Sequence, residues 1–172
     1  RSPLFRAAFP FLDPATFPRS NLRVPPKDLS PEGFRDPYSL FSYLVPAGGR
    51  VLATAPADRM ILEQLGFSAE IETKDLRLLG LPPESRDAVW WSDSNARYSI
   101  EDAFRILQSL FRGLKPKTGV LVLSFSKEKQ ASSRGESPWN VRTVMTLLRQ
   151  SGLQLFHTFE NPTHHLFFNE RI

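Results

Sequence analysis

Three stretches predict an α/β domain whose mostly parallel sheet is flanked by helices and ends in an antiparallel hairpin. First, the apolar runs 88–92 and 120–124 are of strand length, and one amphipathic helical pattern separates them. That is the sequence form of a β-α-β unit, which joins parallel strands through a right-handed crossover. Second, Gly48-Gly49 launches an earlier run at 50–55, followed by a helix-length segment and an alternating run at 67–73. Third, the late runs 153–159 and 166–168, joined by Glu160-Asn161-Pro162-Thr163, read as a hairpin.

The central helix carries several independent signals. Ile100, Phe104, Leu107, Phe111 and Leu114 recur at three- and four-residue steps, widened by Ile106 and Leu110. Ser99 stands at the N-cap with Asp102 three residues on, and Gly113 and Pro116 supply the stop. In the first unit Asp58 is the expected N-cap of a short helix over 59–65, ended by Gly66. Ser137-Pro138 is expected to open the last helix, running to Ser151 with an apolar face of Val141, Val144, Met145 and Leu148. Trp90 and Trp91 point to opposite faces of one strand, and core packing for both is the simpler reading.

The chain divides at residue 46. Residues 1–46 hold nine of the fifteen prolines, which interrupt any long helix, yet Leu4, Phe5, Phe9, Phe11, Leu12 and Phe17 are too apolar for a disordered tail. This part is expected to be an arm packed on the domain by aromatic anchors; covering a partner or closing a pocket is the alternative. Short helices are expected at 30–33 and 37–43. Residues 47–172 form the α/β domain proper. The chain begins at Arg1 rather than Met, which suggests a trimmed product or one domain of a longer protein.

Composition narrows the chemistry. At 172 residues, with 41% apolar and 23% charged side chains, the chain suits one globular domain. No apolar run approaches the ~20 residues that span a bilayer, and no signal peptide is expected. Zero cysteines exclude disulfides, thiolate metal sites and a cysteine nucleophile, and fit a cytoplasmic protein. The net charge of +4 is dispersed, which gives nucleic acid little support as a partner. His164 and His165 would face opposite ways on a strand, so no shared metal is expected. No G-x-S-x-G elbow, P-loop or G-x-G-x-x-G occurs, so hydrolase, NTPase and dehydrogenase readings lack a motif. The polar loop 126–136 reads as a solvated linker; as a phosphate-contacting loop it would act through Lys127, Lys129 and Arg134. The tip Ser92-Asp93-Ser94-Asn95, with Arg97 and Tyr98, lies beyond a strand end, where open parallel sheets bind ligands. A plain turn leading into the next helix fits the same residues.

From Gly48 onward the chain resembles the class I S-adenosylmethionine-dependent methyltransferases, whose Rossmann-like sheet ends in an antiparallel hairpin. Asp87-Ala88-Val89-Trp90 looks like the family's aspartate-led fourth strand. Leu114-Lys115-Pro116, running on to Gly119, resembles the turn before its fifth, and Leu147-Leu148 to Gly152-Leu153 is similar to the helix and turn before its sixth. Asp75-Leu76, with residues 79–82, looks like the segment bordering the adenine. The resemblance implies S-adenosylmethionine as cofactor if the protein is active. Thr54 and Ala55 would then line the cofactor loop, Asp75 and Leu76 the adenine edge, and Ser92 the methyl-facing space. Asp93, Asn95, Arg97 and Tyr98 would meet the substrate. Methyl transfer depends on alignment more than on an acid or base, so no catalytic residue is assigned.

The departures lie at the cofactor loop. The family runs from its first strand into a glycine-rich connection; here Ala53-Thr54-Ala55-Pro56-Ala57-Asp58 holds no glycine, and Pro56 lacks an N–H. The interval between Val51 and Ala88 is too short for two β-α units and a third strand. Either one unit is missing, or 67–73 serves as the third strand and the second is lost. The ribose-holding acid at the end of the family's second strand then has no clear equivalent, Glu70 and Glu72 lying inside the expected strand. Two functions remain. The domain is a catalytically silent scaffold, a pseudoenzyme that binds a protein partner or serves a larger chain, or it is an active methyltransferase with an atypical loop.

Overall fold

The computed structural model describes residues 36–127, 131–132, 135–136 and 138–172. Of the arm expected over 1–46, residues 1–35, with the short helix expected at 30–33, lie outside the described residues, as do Lys129 and Arg134. Asp36 caps the first helix, α1 (Pro37–Leu44), by accepting from the Ser39 N–H at 2.7 Å. Strand β1 (Arg50–Ala53) leads into α2 (Pro56–Gln64) and β2 (Ser68–Ile71). A single 3-10 turn, Leu76–Leu78, then connects to β3 (Ala88–Trp91), α3 (Ile100–Gly113) and β4 (Val120–Ser126). A two-stranded ribbon, β5 (Ala131–Ser132) and β6 (Gly135–Glu136), precedes α4 (Val141–Gln150). The hairpin β7 (Leu153–Glu160) and β8 (His164–Arg171) closes the fold.

The main sheet has six strands in the order β2-β1-β3-β4-β8-β7. The first four are parallel, and β8 inserts antiparallel between β4 and β7. This is the expected Rossmann-like architecture. Its sides pack separately. Tyr38, Leu40 and Phe41 of α1 and Ile61 and Leu62 of α2 cover the face bearing Val51, Trp90, Val122 and Phe168. On the opposite face, α3 and α4 cover Leu52, Val89, Trp91, Leu121 and Phe167. Both tryptophans are core, each 1% exposed, and Trp90 stacks on Tyr38 with ring centroids 5.1 Å apart.

Several boundaries differ from expectation, each for a physical reason. Asp58 is not the cap of α2: proline tolerates the first helical position, so the helix starts at Pro56 with Ala55 at the N-cap and no side-chain cap bond. The last helix starts at Val141 because Asn140, not Ser137, caps it, accepting from the Thr143 N–H at 2.9 Å. Strand β2 ends at Ile71, which leaves Glu72 just past its end. β2 pairs directly with β1, the place of the second strand in a doubly wound sheet. Residues 72–87 contain no further strand, so β2 is not a third strand with the second lost. Gly152 ends α4 at φ +90°, where the ring of Phe111 would lie 2.8 Å from an added Cβ.

Candidate functional site

Of the residues singled out from sequence, Thr54, Ala55, Ser92, Asp93 and Asn95 gather at the C-terminal ends of β1, β3 and β4, but their polar atoms are largely spent on one another. The strand order forces this proximity. The Thr54 N–H donates to the Trp90 carbonyl at 3.2 Å, and the Ser92 N–H donates to Thr54 Oγ1 at 3.0 Å. The β1 and β3 ends are thereby zipped one residue past their ladders. Ala55 carries no polar side chain to the site.

Asp58, in the first turn of α2, folds back and accepts a short hydrogen bond from the Ser92 hydroxyl. Burial pushes its carboxyl up to about 6, with the negative charge of Asp93 adding to the rise and the Ser92 hydroxyl opposing it. Tyr38 lies beneath; burial raises its phenol well above the ordinary range, reinforced by Asp58 and Asp36.

The tip after β3 is held by β4 and the hairpin. Asp93 adopts φ +48°, a left-handed conformation that aspartate tolerates better than most residues. Its N–H donates to Ser124 Oγ at 3.0 Å, and Ser94 bonds the Ser124 carbonyl through both N–H and hydroxyl. Asn95 forms a two-way bridge with the backbone of Ser126, at 3.1 and 3.0 Å. His164 of β8 reaches across with Nε2 2.7 Å from Asp93 Oδ1, while its Nδ1 sits 2.8 Å from Thr163 Oγ1.

The remaining expected residues form a second cluster around the 3-10 turn. Asp75 caps that turn and binds the Arg77 guanidinium at 2.7 Å; hydrogen bonds from Arg77 hold its carboxyl down at about 2. The Leu76 N–H donates to the Tyr98 hydroxyl at 2.8 Å, and the Tyr98 carbonyl accepts from Trp139 Nε1 at 3.0 Å. Arg97 donates to the Thr73 carbonyl at 3.2 Å. Asp75, Leu76, Arg97 and Tyr98 therefore brace the β2–β3 crossover against the approach to α3. Ser92, Asp93 and Asn95 belong to the first cluster.

Sequence reasoning missed three participants. Asp58 is expected from sequence as a cap, and its half-buried place in the first turn comes from α2 starting three residues earlier. His164 was weighed only as a metal ligand, and its pairing with Asp93 depends on the hairpin register. Glu72 was set aside as a strand residue. Its N–H donates to the Ala53 carbonyl at 2.9 Å, so it stands beside the end of β1, with its carboxylate accepting from the Lys74 N–H at 2.9 Å. Among the described residues no group of three or more histidine, cysteine or acidic side chains could hold a metal, and no helix is long and apolar enough to cross a membrane.

No protein-family model matches the chain, and no curated protein matches it. Solved structures do match in fold. A Mesorhizobium loti S-adenosylmethionine-dependent methyltransferase aligns at 16% identity, TM-score 0.57, over 78% of this chain and 97% of its own. A Pyrococcus horikoshii protein aligns at 15% and 0.64, over 92% and 98%. A TehB-like methyltransferase from Corynebacterium glutamicum aligns at 14% and 0.59, over 77% and 85%. The domain thus has the fold of class I S-adenosylmethionine-dependent methyltransferases.

Proposed function

We propose that this domain is a catalytically silent interaction module built on a methyltransferase fold. One observation carries the reading: the β1–α2 connection has turned its polar groups inward. Thr54 is bonded to Trp90 and Ser92, Pro56 offers no N–H, and Asp58 is folded onto Ser92. A glycine-rich connection lets backbone approach the methionine part of the cofactor; side chains at every position here are a poor fit for that approach. The partner is a protein or a further domain of a larger chain, and a cytoplasmic setting fits the cysteine-free sequence.

A second reading, an active methyltransferase with an atypical loop, is favoured by Glu72, which supplies an acid where the ribose hydroxyls would be held. Calorimetric titration with S-adenosylmethionine and S-adenosylhomocysteine separates the two. The module reading expects no heat of binding and no rise in melting temperature at millimolar ligand. Micromolar binding, with a melting temperature that climbs with ligand concentration, would sink it.

A further inference from the structure

The solvent side of the α3–α4 layer carries a surface that the cofactor question does not touch. Two grooves flank α4. The one shared with α3 is lined by Ile100, Phe104 and Leu147, and the one shared with β7 by Met145, Leu155 and Ile172. Arg142 and Thr146 line both, so the grooves meet across the outer ridge of α4. Met145 is 42% and Ile172 73% exposed. Along α4, Arg142, Met145, Thr146 and Arg149 follow a three- and four-residue spacing that places them on one stripe.

Lys74, Arg97, Arg112, Lys117 and Arg171 make no ion pair among the described residues, but they stand outside these grooves, and the other basic side chains away from them are paired. Ion pairs engage Arg50 and Arg86 with Glu70, Arg59 with Glu63, Arg77 with Asp75, Lys115 with Asp87 and Lys127 with Glu160. Arg105, Arg142 and Arg149, which line the grooves, make no ion pair among the described residues, and Glu101 is the one acid beside them. Three arginines without an ion pair, Arg105 in one groove, Arg149 in the other and Arg142 on the ridge between them, complement a ligand with both carboxylates and an apolar face.

We propose that this surface docks an acidic amphipathic helix of a protein partner. The proposal rests on the interaction-module reading and names its surface. A helix laid along α4 would place apolar side chains at three- and four-residue steps against Phe104, Leu147 and Met145, with carboxylates reaching the three arginines. A nucleic acid suits this surface less well, because it would leave Met145 and Ile172 uncovered.

The test is fluorescence anisotropy of the 172-residue chain with a labelled helical peptide of about 18 residues, long enough to hold helical structure, bearing leucines at helical spacing and glutamates elsewhere. The same peptide with lysines, and a single-stranded oligonucleotide, serve as controls. Saturable binding of the glutamate peptide is expected, weakened on the order of tenfold by R105E/R142E/R149E and separately by Met145→Asp. Matching thermal unfolding of the variants shows that their fold is intact. No saturable binding, equal binding of the lysine peptide or the oligonucleotide, or full retention by the triple variant would each overturn the proposal. S-adenosylmethionine is titrated in parallel: cofactor binding sinks the module reading, whereas absence of both ligands leaves that reading standing without this surface.

Discussion

The two β-α-β units of the parallel sheet are built from similar parts and finished differently. In β3-α3-β4, Ser99 caps a 14-residue helix by accepting from the Asp102 N–H, the cap stands off from the strand, and the intervening tip is polar. In β1-α2-β2, the helix starts within two residues of the strand, has no side-chain cap and spans 9 residues, and its first turn is knotted to the neighbouring strand through Thr54, Asp58 and Ser92. The first unit keeps the features that make a stable scaffold. In β1-α2-β2 the connection after the strand is held by internal hydrogen bonds. Such a difference between neighbours shows that scaffold and ligand cradle are separable: packing rules hold one, and a handful of loop atoms decide the other.

The largest effect should come from β3, which pairs with β1 of one unit and β4 of its own. Trp90→Ala removes the side chain on which Tyr38 stacks and against which Phe41 and Phe168 pack, so urea unfolding should record a loss of about 3–5 kcal/mol. A loss below about 1 kcal/mol would mean that α1 is not docked on β3 as described.

Next in size is the half-buried carboxylate of Asp58. An aspartate raised from 3.8 to about 6 on folding binds its proton more tightly in the native state. Its contribution is therefore fullest below pH 4, declines as pH rises towards 6 and is flat above. Asp58→Asn should flatten that window and gain about 1–3 kcal/mol at pH 7. Parallel pH profiles for the two proteins would contradict the inward-turned loop.

The caps sharpen the comparison directly. Ser99→Ala should cost about 1 kcal/mol, while Ala55→Ser, adding a cap that α2 lacks, should gain a few tenths of that to about 1 kcal/mol. Equal effects of the same sign would erase the distinction between the units. The smallest effect belongs to the tie between hairpin and tip. Asp93 is 57% exposed, so His164→Ala should shift stability by no more than about 1 kcal/mol in denaturant unfolding.

Much of this fold is legible in the sequence because periodicity reports burial. The stripe from Ile100 to Leu114 and the runs at Val120 and Ala88 give the central unit, and the glycine-free loop is visible by inspection. The pairing of Asp58 with Ser92 was not legible. It joins residues 34 apart, and depends on a helix that begins at a proline with no polar cap to mark it. The same holds for Asp93 and His164, 71 residues apart, whose meeting requires β8 to insert beside β4 in one register. The Arg142–Arg149 stripe is written at helical spacing, but only the packing of α3 against α4 shows that Glu101 is the one acid beside it.

The most direct test of the central claim is a titration of isotopically labelled protein with S-adenosylhomocysteine, read at the backbone amides of residues 53–59 and of Glu72. A silent site keeps these signals in place at millimolar ligand, because the Thr54 N–H and the Asp58 carboxylate are already bonded to Trp90 and Ser92. Saturable shifts centred on Thr54, Ala57 and Glu72, at micromolar ligand, would contradict it and return the domain to the working methyltransferases.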